Sequence, residues 1–178
     1  HQMLLQAQIT GPIILMGHSI SGLYMRDYTT HYPDNVVGLV FVDVSTPLQD
    51  QNPAFKTSSQ GPPSWLLRSA MIAGVPRLIG MCSPSAKGPE AAFRKLKAED
   101  ICRMHYSAMA HELASFDQSG EETLHTGPYG SLPILILSHD PAKVLAKSHS
   151  VKEPDRQKAW TQMQEGLLNL STRSQRII

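Results

Sequence analysis

The chain has 178 residues, of which 41% are hydrophobic and 17% charged, and its formal net charge is +1. This length and composition predict a soluble, globular protein with a sizeable core and argue against disorder. The near-neutral charge gives no reason to expect a nucleic acid or an anionic membrane surface as partner, and no apolar run approaches the ~20 residues of a membrane helix. The two cysteines and eight histidines match no metal-ligand spacing, so neither a metal nor another cofactor is expected.

The first elements predict a helix, a strand, a helix and a strand. Residues 1–8 resemble the end of an amphipathic helix, and an apolar strand follows at 13–16. Aromatic and apolar residues recur at helical spacing from about 20 to 31. Residues 36–44 are almost continuously apolar, which is typical of a parallel strand. Together these elements predict a βαβ unit, whose crossover is right-handed.

A different composition follows over 48–130, where prolines punctuate segments with helical patterns at 64–81 and 89–116. The parallel-strand pattern returns at 133–137. A polar stretch, a helix over about 155–170 and the first residues of another strand at 174–178 complete the chain.

The turn after the first strand has the sequence Gly-His-Ser-Ile-Ser-Gly. A strand, a tight turn with one serine and a helix are the context of a nucleophile elbow, in which a sharp turn exposes the serine hydroxyl. Gly17 is the small residue required two positions before Ser19, whereas Ser21 stands where a glycine is usual two positions after it. Ser19 is the candidate nucleophile, and the alternative is that it only caps the helix. The other residues of the turn are His18, Ile20 and Gly22.

This order of elements, with Gly-His-Ser-x-Ser-Gly after a strand and an aspartate at the end of each of the next two strands, resembles the α/β-hydrolase superfamily. The resemblance is strongest over 11–47 and returns over 132–140 and 155–178. It implies an α/β class, partial α/β-hydrolase fold, with parallel strands, flanking helices and a helical cap insertion. The core would comprise 1–47 and 131–178, and the cap 48–130.

The resemblance also implies that the chain is a fragment. The first half of the family's sheet has no counterpart before His1, so the strand from Ile13 to Met16 is expected to present an exposed apolar edge. The family's catalytic histidine is expected just beyond Ile178. A second oxyanion donor would come from the half that is absent, and the 178 residues alone are expected to be inactive.

The implied activity is that of a serine hydrolase acting on a small-molecule ester or related acyl substrate through an acyl-enzyme intermediate. Ser19 would attack the carbonyl, and the backbone N–H of Ile20 would help to hold the oxyanion. None of the eight histidines present is expected to be the base. His139, which precedes a candidate acid in an extended segment, is expected to point elsewhere. A fold relative that binds a ligand without turnover is the alternative, and the cytoplasm is slightly favoured as the compartment.

Two aspartates are candidates for the acid that orients the histidine. Asp140 follows the strand after the cap, where the family usually carries this residue, and is slightly preferred. Asp43 ends the preceding strand, where some members place it. Each also has a structural interpretation, because Asp140 precedes a proline and starts a turn, and Asp43 is followed by Ser45 and Thr46 in another turn.

Overall fold

A computed structural model describes residues 1–47, 49, 51–55, 66, 69–70, 73–79, 91–92, 94–96, 112 and 115–178. In chain order, the elements of this described part are α1 (Gln2–Gln6), β1 (Ile13–Ser19), α2 (Ser21–His31), β2 (Val36–Val44), α3 (Val75–Leu78), α4 (Phe116–Thr123), β3 (Ile134–Leu137), α5 (Pro141–Leu145), α6 (Glu153–Gly166) and β4 (Ser174–Ile177). Single 3-10 turns precede β2 and follow α6, at Pro33–Asn35 and Leu167–Leu170.

The chain divides into two compact units. One comprises His1–Lys56 and Asp117–Ile178, and the other comprises Thr57–Phe116. Most of the predicted helices over 64–81 and 89–116 lie outside the described residues, and α3 is the helix described within the second unit. None of the helices in the described ranges is long and apolar enough to cross a bilayer.

The first unit contains a four-stranded parallel sheet in the order β1-β2-β3-β4, flanked by helices. This arrangement confirms the predicted α/β class and each of the four predicted strands. The short helix α5 lies where the sequence suggested only a polar stretch. It forms because the Asp140 carboxylate accepts the N–H of Ala142 at 2.9 Å, and because Pro141 at the first helical position needs no acceptor.

One face of the sheet carries the hydrophobic core. Alternate residues of the two central strands are fully buried there, and α2 and the turn after α6 cover them. Each such side chain contributes roughly 1.5–3 kcal/mol when it is removed from water. The core residues of this cluster are Met25, Val36, Leu39, Phe41, Val44, Ile134, Ile136, Leu167 and Leu170.

The outer strand β1 is more open. Ile14 and Met16 point to the other face of the sheet and are 65% and 70% exposed. β1 is the outer strand of the described sheet. Its alternate residues Ile13 and Leu15 pack against the core.

A buried arginine, Arg26, forms hydrogen bonds between α2 and the segment that joins α4 to β3. Arg26 Nε donates to Thr126 Oγ1 at 2.9 Å, and its Nη2 donates to the backbone carbonyls of Thr123 and Thr126 at 3.2 and 3.1 Å. The Tyr129 hydroxyl donates to the Arg26 carbonyl at 2.9 Å. Burial lowers the pKa of the Arg26 guanidinium, and the nearby Tyr129 opposes that shift. These contacts hold α2, which begins at Ser21, two residues after Ser19.

Candidate active site

Ser19 forms a sharp turn between β1 and α2. It is the last residue of the strand, its φ of 57° lies in the left-handed region, and its side chain is exposed. The next residue, Ile20, already has helical angles. A non-glycine residue in the left-handed region costs about 1–3 kcal/mol, and such strain is concentrated at functional sites. A strand, a serine with left-handed angles and a helix follow one another here, which is compatible with the predicted elbow.

Close packing at this turn explains why a serine replaces the second glycine of the pattern. A Cβ atom on Gly17 would lie 2.5 Å from Cβ of Ser21 and 2.7 Å from Sδ of Met25. A Cβ atom on Gly22 would lie 2.6 Å from Cβ of Val44. Ser21 therefore fits because the residue facing it is Gly17, and the close approach of helix to strand depends on Gly17 and Gly22.

The remaining turn residues are His18, which has an exposed side chain, and Ile20, which has a backbone N–H at the start of α2. His18 is exposed near the end of β1 and pairs in register with Val42. Ile20 immediately precedes the first residue of α2. Backbone N–H groups at a helix start have no acceptor within the helix, and the helix dipole favours negative charge there. The N–H of Ile20 is thus chemically suited to an oxyanion.

Asp43 interrupts the pairing of β1 with β2. The register runs from His18 opposite Val42 directly to Ser19 opposite Val44, so Asp43 is the extra residue of a bulge. Its φ is 44°, again in the left-handed region. Bulges redirect a side chain at the end of a strand and occur often beside active sites. Ser19 and Asp43 are therefore brought together at the carboxyl ends of neighbouring strands.

The Asp43 carboxylate is held by N–H donors from two elements. Oδ1 accepts the indole N–H of Trp160 at 3.1 Å and lies 2.9 Å from Nδ1 of His139. The backbone N–H of His139 is shared between Oδ1 and Oδ2, at 3.1 and 3.2 Å. Within the described residues Oδ2 receives only this shared bond. One carboxylate oxygen is thus fully engaged, and the other retains room for a further donor.

Asp140 has a different environment. One of its oxygens caps α5 through the Ala142 N–H, and the other lies 3.8 Å from Nζ of Lys143, an exposed ammonium. Its own side chain is 36% exposed, against 23% for Asp43. The structure brings Asp43 into a bulge beside Ser19, whereas Asp140 serves as the N-cap of a short helix.

His139 makes a contact that its sequence position did not suggest. Its ring does not point away from both candidate acids but bonds to Asp43, which lies on the neighbouring strand. The ring also lies parallel to the Trp160 indole, with the two centroids 6.1 Å apart and the planes at 25°. His139, Trp160 and Asp43 form one cluster.

Polar residues on α6 complete this cluster, and the sequence analysis did not single them out. Gln157 is buried, with Oε1 2.7 Å from Nε2 of His139. Gln164 is fully buried and donates from Nε2 to the Val44 carbonyl at 2.7 Å. Residues 157, 160 and 164 share one face of the helix. In the sequence, the signal for this polar helix face was a pair of glutamines seven residues apart, with a tryptophan between them.

The other histidines that the structure describes lie elsewhere. The ring of His31 contacts the backbone carbonyl and the carboxylate of Asp27 at 3.0 and 3.3 Å, and both side chains are exposed. His125 and His149 are exposed, and His105 and His111 lie outside the described residues. In the described part of the chain, no three His, Cys, Asp or Glu side chains are grouped as ligands for a metal ion.

Comparison with known proteins gives one partial similarity of note. A segment of 63 residues is 36% identical to human (lyso)-N-acylphosphatidylethanolamine lipase. The segment spans 35% of this chain but only 18% of the lipase. No protein-family model matches the chain. The similarity to a lipase, which is a hydrolase, is compatible with the α/β-hydrolase resemblance of the sequence.

Proposed function

We propose that this chain belongs to a serine hydrolase of the α/β-hydrolase type, which cleaves an ester or related acyl substrate through an acyl-enzyme intermediate. The observation that carries the proposal is the placement of Ser19 and Asp43, both with left-handed backbone angles, at the carboxyl ends of adjacent strands. The partial similarity to a lipase supports the same reaction class. A helical cap over 48–130 stays a prediction of the family resemblance.

Ser19 would be the nucleophile. Its Oγ forms a bond to the carbonyl carbon while a base removes the hydroxyl proton, and the carbonyl oxygen becomes an oxyanion. The N–H of Ile20 stabilises this charge at the start of α2. Collapse of the tetrahedral intermediate expels the alcohol, which takes the proton from the base, and water then releases the acid from Ser19 by the same steps.

Asp43 would be the acid that orients the base. A carboxylate in this role needs one oxygen fixed by neighbouring donors and one directed at the imidazole. The bonds to Oδ1 and the room left on Oδ2 meet that need, whereas Asp140 is engaged as a helix cap.

Labelling with a fluorophosphonate probe tests the proposal, because the probe reacts only with an activated serine. In the complete gene product we expect one labelled site at Ser19, no labelling after Ser19→Ala, and retained labelling after Ser21→Ala. A correctly folded complete protein that is not labelled would contradict the hydrolase proposal and favour a binding protein.

A further inference from the structure

A continuous row of hydrogen bonds runs from α6 to the bulge on β2. Gln157 Nε2 donates to Oε1 of Glu153 at 2.8 Å, and Gln157 Oε1 lies 2.7 Å from Nε2 of His139. On its other side, Nδ1 of His139 lies 2.9 Å from Oδ1 of Asp43. All three bonds are partly buried.

Three N–H groups converge on one oxygen of Asp43. A ring nitrogen without a hydrogen would oppose the acceptor oxygen, so Nδ1 of His139 is the donor in its contact with Oδ1. The backbone N–H of His139 and the indole N–H of Trp160 donate to the same oxygen. Two of the three donors therefore belong to His139.

We propose that His139 is a positioning residue for Asp43, with its ring also contacting Gln157 of α6 on the side away from the carboxylate. Together with Trp160 it binds Oδ1 and orients Oδ2 toward the base. Glu153 also has a cation nearby, since Nη1 of Arg156 lies 4.0 Å from its Oε2. This role rests on the proposed function, because it matters for activity only if Asp43 orients the base.

Labelling kinetics in the complete gene product test the positioning role. Replacing His139→Leu removes the ring donor and is expected to lower the maximal rate of fluorophosphonate labelling by about 10- to 100-fold at unchanged probe affinity. His139→Asn keeps a donor near Asp43 and is expected to restore the rate to within about fivefold of wild type. Equal rates for wild type and His139→Leu, or equal losses for Leu and Asn, would overturn the inference.

The two proposals fail in different ways. If the complete, folded protein is not labelled at Ser19, the hydrolase proposal fails and the positioning role fails with it. If Ser19 is labelled in the wild type and His139→Leu is labelled at the same rate, the hydrolase proposal stands and this inference alone fails. Thermal unfolding of each variant separates loss of fold from loss of positioning.

Discussion

Asp43 bulges out of β2 directly beside Ser19, and both residues have left-handed backbone angles, with φ of 44° and 57°. Neighbouring contacts hold the two in place. The Ser45 N–H donates to the Ser19 carbonyl at 2.8 Å, and Gln164 binds the Val44 carbonyl. The other described non-glycine residue with positive φ, Gln8, lies just past the end of α1, where left-handed residues are common. Strain at Ser19 and Asp43 is instead located at the carboxyl edge of the sheet.

Matched amide substitutions test which of the two candidates, Asp43 or Asp140, is the acid. Asp43→Asn preserves shape but removes the charge that orients and stabilises the base, so we expect Ser19 labelling in the complete gene product to fall by about 10³- to 10⁴-fold. Asp140→Asn is expected to leave labelling within about threefold, because asparagine also caps helices well. If Asp140→Asn caused the larger loss, the assignment of the acid would be reversed.

Packing at the elbow predicts a coupled pair of mutations. Gly17→Ala places a Cβ against Ser21 and is expected to lower the free energy of unfolding by about 1–3 kcal/mol. Ser21→Gly removes the nearest of the clashing atoms, so the double variant should recover part of that loss.

Gly11→Ala is the control for this pair, since a Cβ at Gly11 meets nothing within 4 Å. Denaturant unfolding of the four variants measures the coupling. Strictly additive effects of Gly17→Ala and Ser21→Gly would show that the two positions do not compete for space.

The buried Arg26 contact is expected to contribute strongly to stability. Arg26→Met removes the arginine donor from the Thr126 carbonyl and one of several donors from the Thr123 carbonyl, and we expect the free energy of unfolding to fall by about 2–4 kcal/mol. Arg173→Met, at an exposed position, serves as the control and should change it by less than about 0.5 kcal/mol. Similar unfolding curves for both variants would contradict a structural role for Arg26.

Gln164 provides a pH-dependent test. Its Oε1 is buried without a partner among the described residues, so Gln164→Leu removes an unpaired oxygen along with one hydrogen bond and should change stability by about 1 kcal/mol or less. Gln164→Glu places a carboxyl group at the same fully buried site, where desolvation raises its pKa above that of the unfolded chain.

The direction in which the stability of Gln164→Glu changes with pH follows from proton binding. The folded variant holds its proton at pH values where the unfolded chain has released it, so its stability relative to wild type should fall as the pH rises above about 4. Urea unfolding across this pH range measures the difference. A constant difference between Gln164→Glu and wild type would show that the site is accessible to water.

Local patterns in the sequence were sufficient to identify the four strands, the turn around Ser19 and the helix after it. These features depend on the spacing of apolar residues and on small residues at a tight turn, both of which act over a few neighbouring positions. The aspartates at both strand ends were also visible. The sequence could not choose between them, because each has the same local setting at the end of an apolar strand.

Tertiary structure separated the two aspartates. The bonds that Asp43 receives from His139 and Trp160 join residues 96 and 117 positions apart, and they exist because parallel pairing brings β2 beside β3 and places α6 over their ends. The bulge that turns Asp43 toward these donors depends on the register of β1 against β2. The sequence by itself thus determined the candidate nucleophile and its turn. The partners of Asp43, the acid that we propose, were decided only when distant strands and α6 came together, because hydrogen bonds over such separations leave no periodic signal.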